Sequence, residues 1–237
     1  MIRLAAIAFA AALFFPGLSA AAACTQGDPV IHYVQVDGGT SGSSLTKGDI
    51  PWREQFLQAV VRDGNDHSVY LRAASDERFG ATDPNYEGGV YDKLAPNVIA
   101  NLLAGYSPTH ANLPASVLGG GLDIRESDGY GLQAQYVERA YTAQNAGITT
   151  LGFDRYAGTG HIVLAFTTAV LSNVPGIALS ERAGFDRTTA CDQYNVAVAA
   201  GRDVESTGIS NNVAVYKMYS YNAGDTHWMT PKLAWQL

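Results

Sequence analysis

The sequence is poor in cysteine, which limits both its metal chemistry and its disulfides. Cys24 and Cys191 are the only two cysteines among 237 residues. Two thiols cannot build a structural zinc site alone, and His110, His161 and His227 lack the spacing of zinc ligands. No metal cofactor is therefore expected. In an oxidising compartment an isolated cysteine pair most simply forms one disulfide, here Cys24–Cys191.

Long apolar runs are missing beyond the N-terminus. A basic start at residues 1–3 precedes an apolar stretch at 4–18 and small residues at 19–23. This pattern predicts a secretory signal peptide over residues 1–23, too short for a stable membrane span. A lipoprotein interpretation would place a lipid on Cys24, although Ala21 stands where a larger aliphatic residue is usual. No later stretch approaches the ~20 apolar residues of a membrane-crossing helix. The sequence thus predicts a secreted, soluble protein with no membrane span.

Clustered positive charge is also missing. The formal net charge is −7, and the lysines and arginines are scattered along the chain. Both features argue against a nucleic-acid partner, because binding a phosphate backbone requires a basic surface. Repeats, charge runs and domain-sized linkers are absent as well, so residues 24–237 are expected to form one domain with a core of its own.

Local patterns predict a mixture of strands and helices. Alternating or β-branched runs predict strands at 30–36, 67–73, 161–166 and 212–219. Apolar residues at i, i+4 spacing, and glycines after periodic segments, predict short helices. The predicted helices are 51–61, 97–104, 132–146, 178–183 and 193–200, and the glycine-rich segments 38–44 and 81–91 are predicted loops. The fold class expected is α+β: a single compact domain with split mixed or antiparallel sheets and flanking short helices.

The predicted strand at 67–73 carries an unusual arginine. Val69 and Leu71 would point to one side and Tyr70 and Arg72 to the other, because side chains alternate along a strand. A charged group on a sheet face is costly to desolvate without a partner. Arg72 is therefore either solvated at a sheet edge or positioned to hold an anion, and both alternatives stay open.

Hydrolase motifs are weak. Ser107, after Gly105, lacks the second glycine of a nucleophile elbow and is followed by a proline. A glycosidase needs two carboxylates about 5–9 Å apart. The candidate acids are Glu181, Asp203 and Glu205, and the last two would share a face on an extended segment. The alternative for that pair is a solvated loop.

The order of these features resembles that of a toxin family. An arginine on an early strand (Arg72), a serine-containing turn (Ser127), an apolar strand and an acid-x-Glu pair follow one another in the chain. Val69-Tyr70 before Arg72, and Gly-Thr-Gly-His at 158–161 before the apolar strand, carry the closest likeness. The chain in this respect is similar to ADP-ribosyltransferase toxins of the arginine–serine–glutamate class, in their pertussis-type branch.

The resemblance implies a site that uses NAD as a substrate. Arg72, with Tyr70 beside it, would bind the NAD phosphates, and Ser127, or Thr167 in its place, would support the nicotinamide pocket. Glu205 would stabilise the oxocarbenium character that develops as nicotinamide leaves, and Asp203 would activate the acceptor. A guanidinium suits a pyrophosphate and a carboxylate suits a forming cation.

The function expected on this basis is that of a secreted toxin or effector acting as an NAD-dependent protein mono-ADP-ribosyltransferase. Its partner would be a target protein acceptor of unknown identity, with a delivery subunit as an open question. One alternative is a non-catalytic secreted binding protein that uses Arg72 and the tyrosines for recognition. A second alternative is a secreted hydrolase, so whether the chain is an enzyme stays open.

Overall fold

The regular structure of the described residues consists of strands. The computed structural model describes residues 32–43, 52–64, 66–126, 128–172, 176–189, 192–206, 213–230 and 233–236. No helix in these ranges is long and apolar enough to cross a membrane. The strands are β1 (His32–Ser43), β2 (Trp52–Asp63), β3 (His67–Arg78), β4 (Ala81–Ala95), β5 (Val98–Tyr106), β6 (Ser116–Arg125), β7 (Tyr130–Ala140), β8 (Asn145–Ala157), β9 (Gly160–Leu171), β10 (Ile177–Thr188), β11 (Asp192–Ser206), β12 (Val213–Thr230) and β13 (Leu233–Gln236).

The strands form one antiparallel meander. Each strand pairs with its neighbours in sequence, from β1 through β13. The connections therefore alternate between two ends of the sheet. At the first, the short-turn end, they are 64–66, 96–97, 126–129, 158–159, 189–191 and 231–232. At the second, the long-loop end, they are 44–51, 79–80, 107–115, 141–144, 172–176 and 207–212.

The α+β prediction is wrong, because the predicted helices are strands. Segment 51–61 falls on β2, 97–104 on β5, 178–183 on β10, 193–200 on β11, and 132–146 on β7 and the start of β8. The i, i+4 spacing that suggested helices is an even number, so Leu57 and Val61 share a face of a strand as well as of a helix. Backbone pairing with the two neighbouring strands decided in favour of the strand period.

The two predicted loops also belong to strands. Residues 38–43 continue β1, where they pair with 52–57 of β2, and the segment 81–91 lies in β4 between β3 and β5. Glycine and proline disfavour an isolated strand. Two neighbours supply backbone hydrogen bonds to β4, and this pairing outweighs the local composition.

Several predicted strands are confirmed, and so is one facing pattern. Segments 67–73, 161–166 and 212–219 lie mainly in β3, β9 and β12. In β3, Val69 and Leu71 are 45% and 66% exposed, whereas Tyr70 and Arg72 on the other face are half-buried. In β9, Ile162, Leu164 and Phe166 are exposed, whereas Val163 and Ala165 on the other face are half-buried.

The tetrapeptide 158–161, which carried the family likeness, forms a tight hairpin. Gly158 and Thr159 connect β8 to β9, and Ala157 pairs with Gly160. Gly158 has a φ of +60°, in the left-handed region that glycine occupies at low cost. The glycine is thus explained by turn geometry.

A small apolar cluster lies at the long-loop end. It joins the 141–144 connection to the ends of β8, β9, β10 and β11. Its buried members are Tyr141, Ala146, Ala169, Leu171, Ala178 and Val204. Most of the large apolar side chains of the chain lie elsewhere, on the exposed face of the sheet.

Candidate functional site

One face of the sheet is apolar and exposed along most of its strands. Alternate residues of β1 to β12 project large apolar side chains away from the rest of the protein. This surface is called the outer belt. Its members are Val34, Val36, Leu57, Val61, Val69, Leu71, Tyr86, Val90, Leu94, Leu102, Tyr106, Leu118, Leu122, Ile124, Leu132, Tyr136, Leu151, Phe153, Ile162, Leu164, Phe166, Val170, Ile177, Leu179, Phe185, Tyr194, Val196, Val198, Val215, Tyr219 and Tyr221.

Aromatic side chains lie toward both ends of the outer belt. Tyr86 and Tyr106 are directly opposite each other at the long-loop end of β5. At the short-turn end Tyr130 packs against Phe153 with ring centroids 5.7 Å apart, and the Arg155 guanidinium lies 4.8 Å from the Tyr130 ring. An apolar band edged by aromatics is the pattern of a surface that meets lipid headgroups at two levels.

The opposite face, the inner face, carries paired charges on β2, β3 and β4. Arg72 Nη2 lies 2.6 Å from Glu54 Oε1, and the same guanidinium lies 5.0 Å from the centroid of Phe56. The Tyr70 hydroxyl donates a 2.8 Å hydrogen bond to Glu87 Oε1. The alternation of β3 therefore places Tyr70 and Arg72 together on the inner face, where each has a carboxylate partner.

A second polar cluster occupies the inner face of β8, β9 and β10. The imidazole of His161 lies between two carboxylates, with Nε2 3.0 Å from Asp154 and Nδ1 3.2 Å from Asp186. Its ring stacks on Tyr156 at a centroid distance of 3.9 Å. Asp154 is buried, and Gln133 donates to it at 3.5 Å. Among the described residues no group of acids, histidines and cysteines is arranged to hold a metal ion.

A cavity of about 240 Å³ adjoins this cluster. Asp186 belongs to both, and Gln133, Arg182 and Asn195 supply further polar groups to the cavity wall. The lining comes from β7, β9, β10 and β11, so the space lies along one side of the inner face. It can accept a small polar solute or several waters.

Asp83, near the long-loop end of β4, anchors the 107–115 connection on the inner face of the sheet. This carboxylate is fully buried and accepts backbone N–H bonds from Ala111, Asn112 and Leu113 at 2.8, 2.6 and 3.1 Å. The Thr109 hydroxyl donates to it at 2.7 Å. One side chain thus fixes the path of the loop at the long-loop end.

The comparisons with known proteins agree with this two-faced sheet. The family model described as "YaiO membrane beta barrel domain" matches residues 35–197. The chain belongs to this family. A membrane β-barrel presents an apolar surface to lipid and lines its lumen with polar side chains. The outer belt and the inner face of this sheet have those two characters.

The other comparisons add little. No curated protein matches the sequence. A solved structure reported as "Unveiling the Mechanism Behind the in-meso Crystallization of Membrane Proteins" is 11% identical, with a TM-score of 0.46, over 81% of this chain and 83% of that one. At that TM-score the likeness carries no argument.

Family membership corrects the functional expectations. The ADP-ribosyltransferase resemblance and the toxin or effector function inferred from it are wrong, because a membrane β-barrel domain has an unrelated, all-strand fold. Free secretion is wrong for the same reason. The expected absence of a membrane span holds for helices within the described residues and fails for the barrel as a whole. NAD binding remains a prediction that rested on the resemblance alone.

The predicted site residues do not form one described cluster. Arg72 and Tyr70 lie on β3, whereas Asp203 and Glu205 lie on β11, which pairs with β10 and β12. Arg72 is bound instead by Glu54. Thr167 on β9 contacts Thr150 at 3.0 Å. Three further predicted residues, Ser127, Cys24 and Cys191, lie outside the described residues, as does the predicted signal peptide at 1–23.

Sequence reasoning missed the inner-face contacts of Asp83, Asp154 and His161. The signal that could have found them is weak alternation, polar inward and apolar outward, over segments of about ten residues. Leu132, Ala134 and Tyr136 show it, but the same stretch was interpreted as a helix.

Proposed function

We propose that this chain is an integral β-barrel of an outer membrane whose acidic lumen admits small hydrophilic cations. The observation that carries the proposal is the polar inner face behind a continuous apolar outer belt. In lipid every backbone polar group needs a partner, and a β-sheet meets that need in the membrane when it closes on itself. The signal peptide predicted at 1–23 supports export across an inner membrane.

The lengths of the connections support one orientation. Outer-membrane barrels have short periplasmic turns and longer external loops. The short-turn end, with no connection longer than 126–129, would therefore face the periplasm, and the 107–115 loop would face outward. β1 starts at the short-turn end, so His32 would lie on the periplasmic side.

The charge of the inner face favours cations. Four basic side chains of the inner face, Arg72, Arg78, Lys93 and Arg125, are each paired with an acid. Among the remaining described inner-face side chains, acids outnumber arginines. The acids are Asp37, Asp83, Glu87, Asp154 and Asp186, and the arginines are Arg62, Arg139 and Arg182. A pore wall with excess carboxylate raises the local cation concentration and excludes anions.

The long-loop end limits the size of the solute. The loop fastened by Asp83 and the apolar cluster around Tyr141 and Val204 both occupy the inner side of this mouth. They narrow the lumen from two sides of the sheet. The proposal is therefore a passage for small solutes and excludes a wide, unselective pore.

Reversal-potential measurements in planar bilayers test the proposal. The purified barrel, placed in a salt gradient, is expected to conduct with a preference for K⁺ over Cl⁻. Glu87→Gln and Asp186→Asn together remove two lumen carboxylates and should reduce the permeability ratio at least about twofold. A matched control is Glu138→Gln, an exposed outer-face carboxylate near the membrane edge, which should leave the ratio unchanged. Absence of conductance from correctly inserted barrels, or a preference for Cl⁻, contradicts the proposal.

A further inference from the structure

The outer belt contains one carboxylate, Glu181, whose neighbours along its own strand and directly across from it are apolar. Arg202 of β11 lies diagonally from it toward the long-loop end, and no ion pair joins the two side chains. Glu181 lies on the outward, exposed face of β10, between Leu179 and Ala183 along the strand. Phe166 of β9 and Ala200 of β11 are its direct cross-strand neighbours. Within the described residues Glu181 takes part in no hydrogen bond or ion pair. An ionisable group at this depth in lipid is costly, and such positions usually have a partner.

Hydrogen-bond donors lie two strands away on the same face. Ala200 pairs on its other side with Tyr219 of β12, and Val198 pairs with Tyr221. These two tyrosines are 82% and 90% exposed. A phenolic hydroxyl in the hydrocarbon region also needs a partner. At about 4.8 Å per strand, the backbones of Glu181 and Tyr219 are roughly 10 Å apart, and no hydrogen bond joins Glu181 to either tyrosine.

The two unmatched groups are arranged symmetrically about β11. Residues that pair directly across successive strands form rows over the sheet. From β1 to β12 these rows shift toward the long-loop end of the strands, as in the row that begins at His32 and ends at Tyr219. Because strands in a barrel tilt by roughly 40°, the residue of β12 at the membrane depth of Glu181 lies past Tyr219, near Tyr221. The carboxylate and the phenol are thus at similar depths, one strand to each side of Ala200.

We propose that the outer face of β10, β11 and β12 is the interface of a symmetric dimer, with a second copy of this chain as its occupant. A two-fold axis parallel to the membrane normal, next to the outer face of β11, places β10 of each copy opposite β12 of the other. It brings Glu181 of each copy to Tyr221 of the other, so that each carboxylate accepts a hydrogen bond from a phenol. The small side chain of Ala200 at the axis lets the two sheets approach. This inference rests on the proposed membrane insertion of the barrel.

Cross-linking and dissociation of the full-length protein in lipid vesicles test the interface. In a background with Cys24 and Cys191 replaced by alanine, Ala200→Cys should form covalent dimers with a short bis-maleimide. Leu122→Cys, on the outer face of β6, should not. With native cysteines, Glu181→Ala and Tyr221→Phe should each raise the dimer dissociation constant at least about tenfold, because each removes one member of a charge-assisted hydrogen bond. Glu138→Ala should leave the constant unchanged.

Four outcomes overturn the inference, and a control for membrane insertion separates them from failure of the proposed function. The first three concern the barrel alone. They are a monomeric wild-type barrel, equal cross-linking at Ala200→Cys and Leu122→Cys, and unchanged dissociation of the Glu181 variant. Purification of a different protein or a tightly bound lipid on this face, with the barrel monomeric, also overturns it. Each variant is checked for insertion by its migration before and after boiling. A chain that inserts and remains monomeric contradicts only the dimer, whereas a chain that does not insert contradicts the proposed function too.

Discussion

At the level of single residues, Arg72 is a charged side chain of the inner face whose position is explained by partners from another strand. Arg72 is half-buried on the inner face because Glu54 of β2 neutralises it and Phe56 covers its guanidinium. The alternation of residues 67–73 predicted that Tyr70 and Arg72 share a face. It could not predict Glu54 as the partner, since β2 itself was interpreted as a helix.

Asp83 offers the sharpest test at this scale. Replacing it with alanine leaves the N–H groups of Ala111, Asn112 and Leu113 without their acceptor. We expect a loss of about 2–3 kcal/mol of stability, concentrated in the 107–115 loop. Limited proteolysis of the inserted barrel should then cut within this loop, and the single-channel conductance should rise as the mouth widens.

Asp37→Ala is the matched control for that substitution. Its carboxylate is also on the inner face, but among the described residues it accepts hydrogen bonds only from the Gln35 side chain. The control should leave loop proteolysis at the wild-type level. Equal resistance of Asp83→Ala and wild type would show that the loop is held by something other than this carboxylate.

At the level of elements, glycine allows close packing between neighbouring strands. Three consecutive glycines, Gly119–Gly121, show how closely the elements approach in β6. A Cβ at Gly120 would lie 2.9 Å from a methyl of Leu102, and one at Gly121 would lie 2.7 Å from the carbonyl oxygen of Ala134. Glycine, which disfavours an isolated strand, is here the residue that lets β5, β6 and β7 pair.

The outer belt should tolerate charge far less than the lumen does. Leu151→Arg in the middle of β8 places a guanidinium between Ala134 and Phe166 on the lipid-facing surface. We expect a destabilisation of about 2–4 kcal/mol, measured by urea titration of folding into vesicles. Gln135→Arg, on the inner face of the adjacent strand β7, is the control and should cost much less. A larger effect of the Gln135 substitution would mean that the two faces have been assigned the wrong way round.

At the scale of the whole molecule, the connections set the orientation of the barrel. With Cys24 and Cys191 replaced by alanine, Thr142→Cys at the long-loop end should react with a membrane-impermeant maleimide on intact cells. Thr159→Cys in the β8–β9 turn should react only after the outer membrane is opened. The reverse labelling pattern would show that the barrel has the opposite orientation. Equal labelling of both cysteines on intact cells would contradict insertion of the chain in the membrane.

The order of residues predicts where several strands lie and how side chains alternate along a strand, because period two is a property of the local backbone. Both features are confirmed for β3, where Val69 and Leu71 oppose Tyr70 and Arg72, whereas for the runs in β9 and β12 the strand positions are confirmed. That β2, β5 and β7 are strands follows from their backbone pairing with neighbouring strands, since i, i+4 spacing fits a helix and a strand equally well. The tertiary structure also decided which face is inside. An apolar face is ordinarily buried in a core, and here the curved sheet turns it outward toward lipid, so that Arg72, Asp154 and Glu54 line the interior.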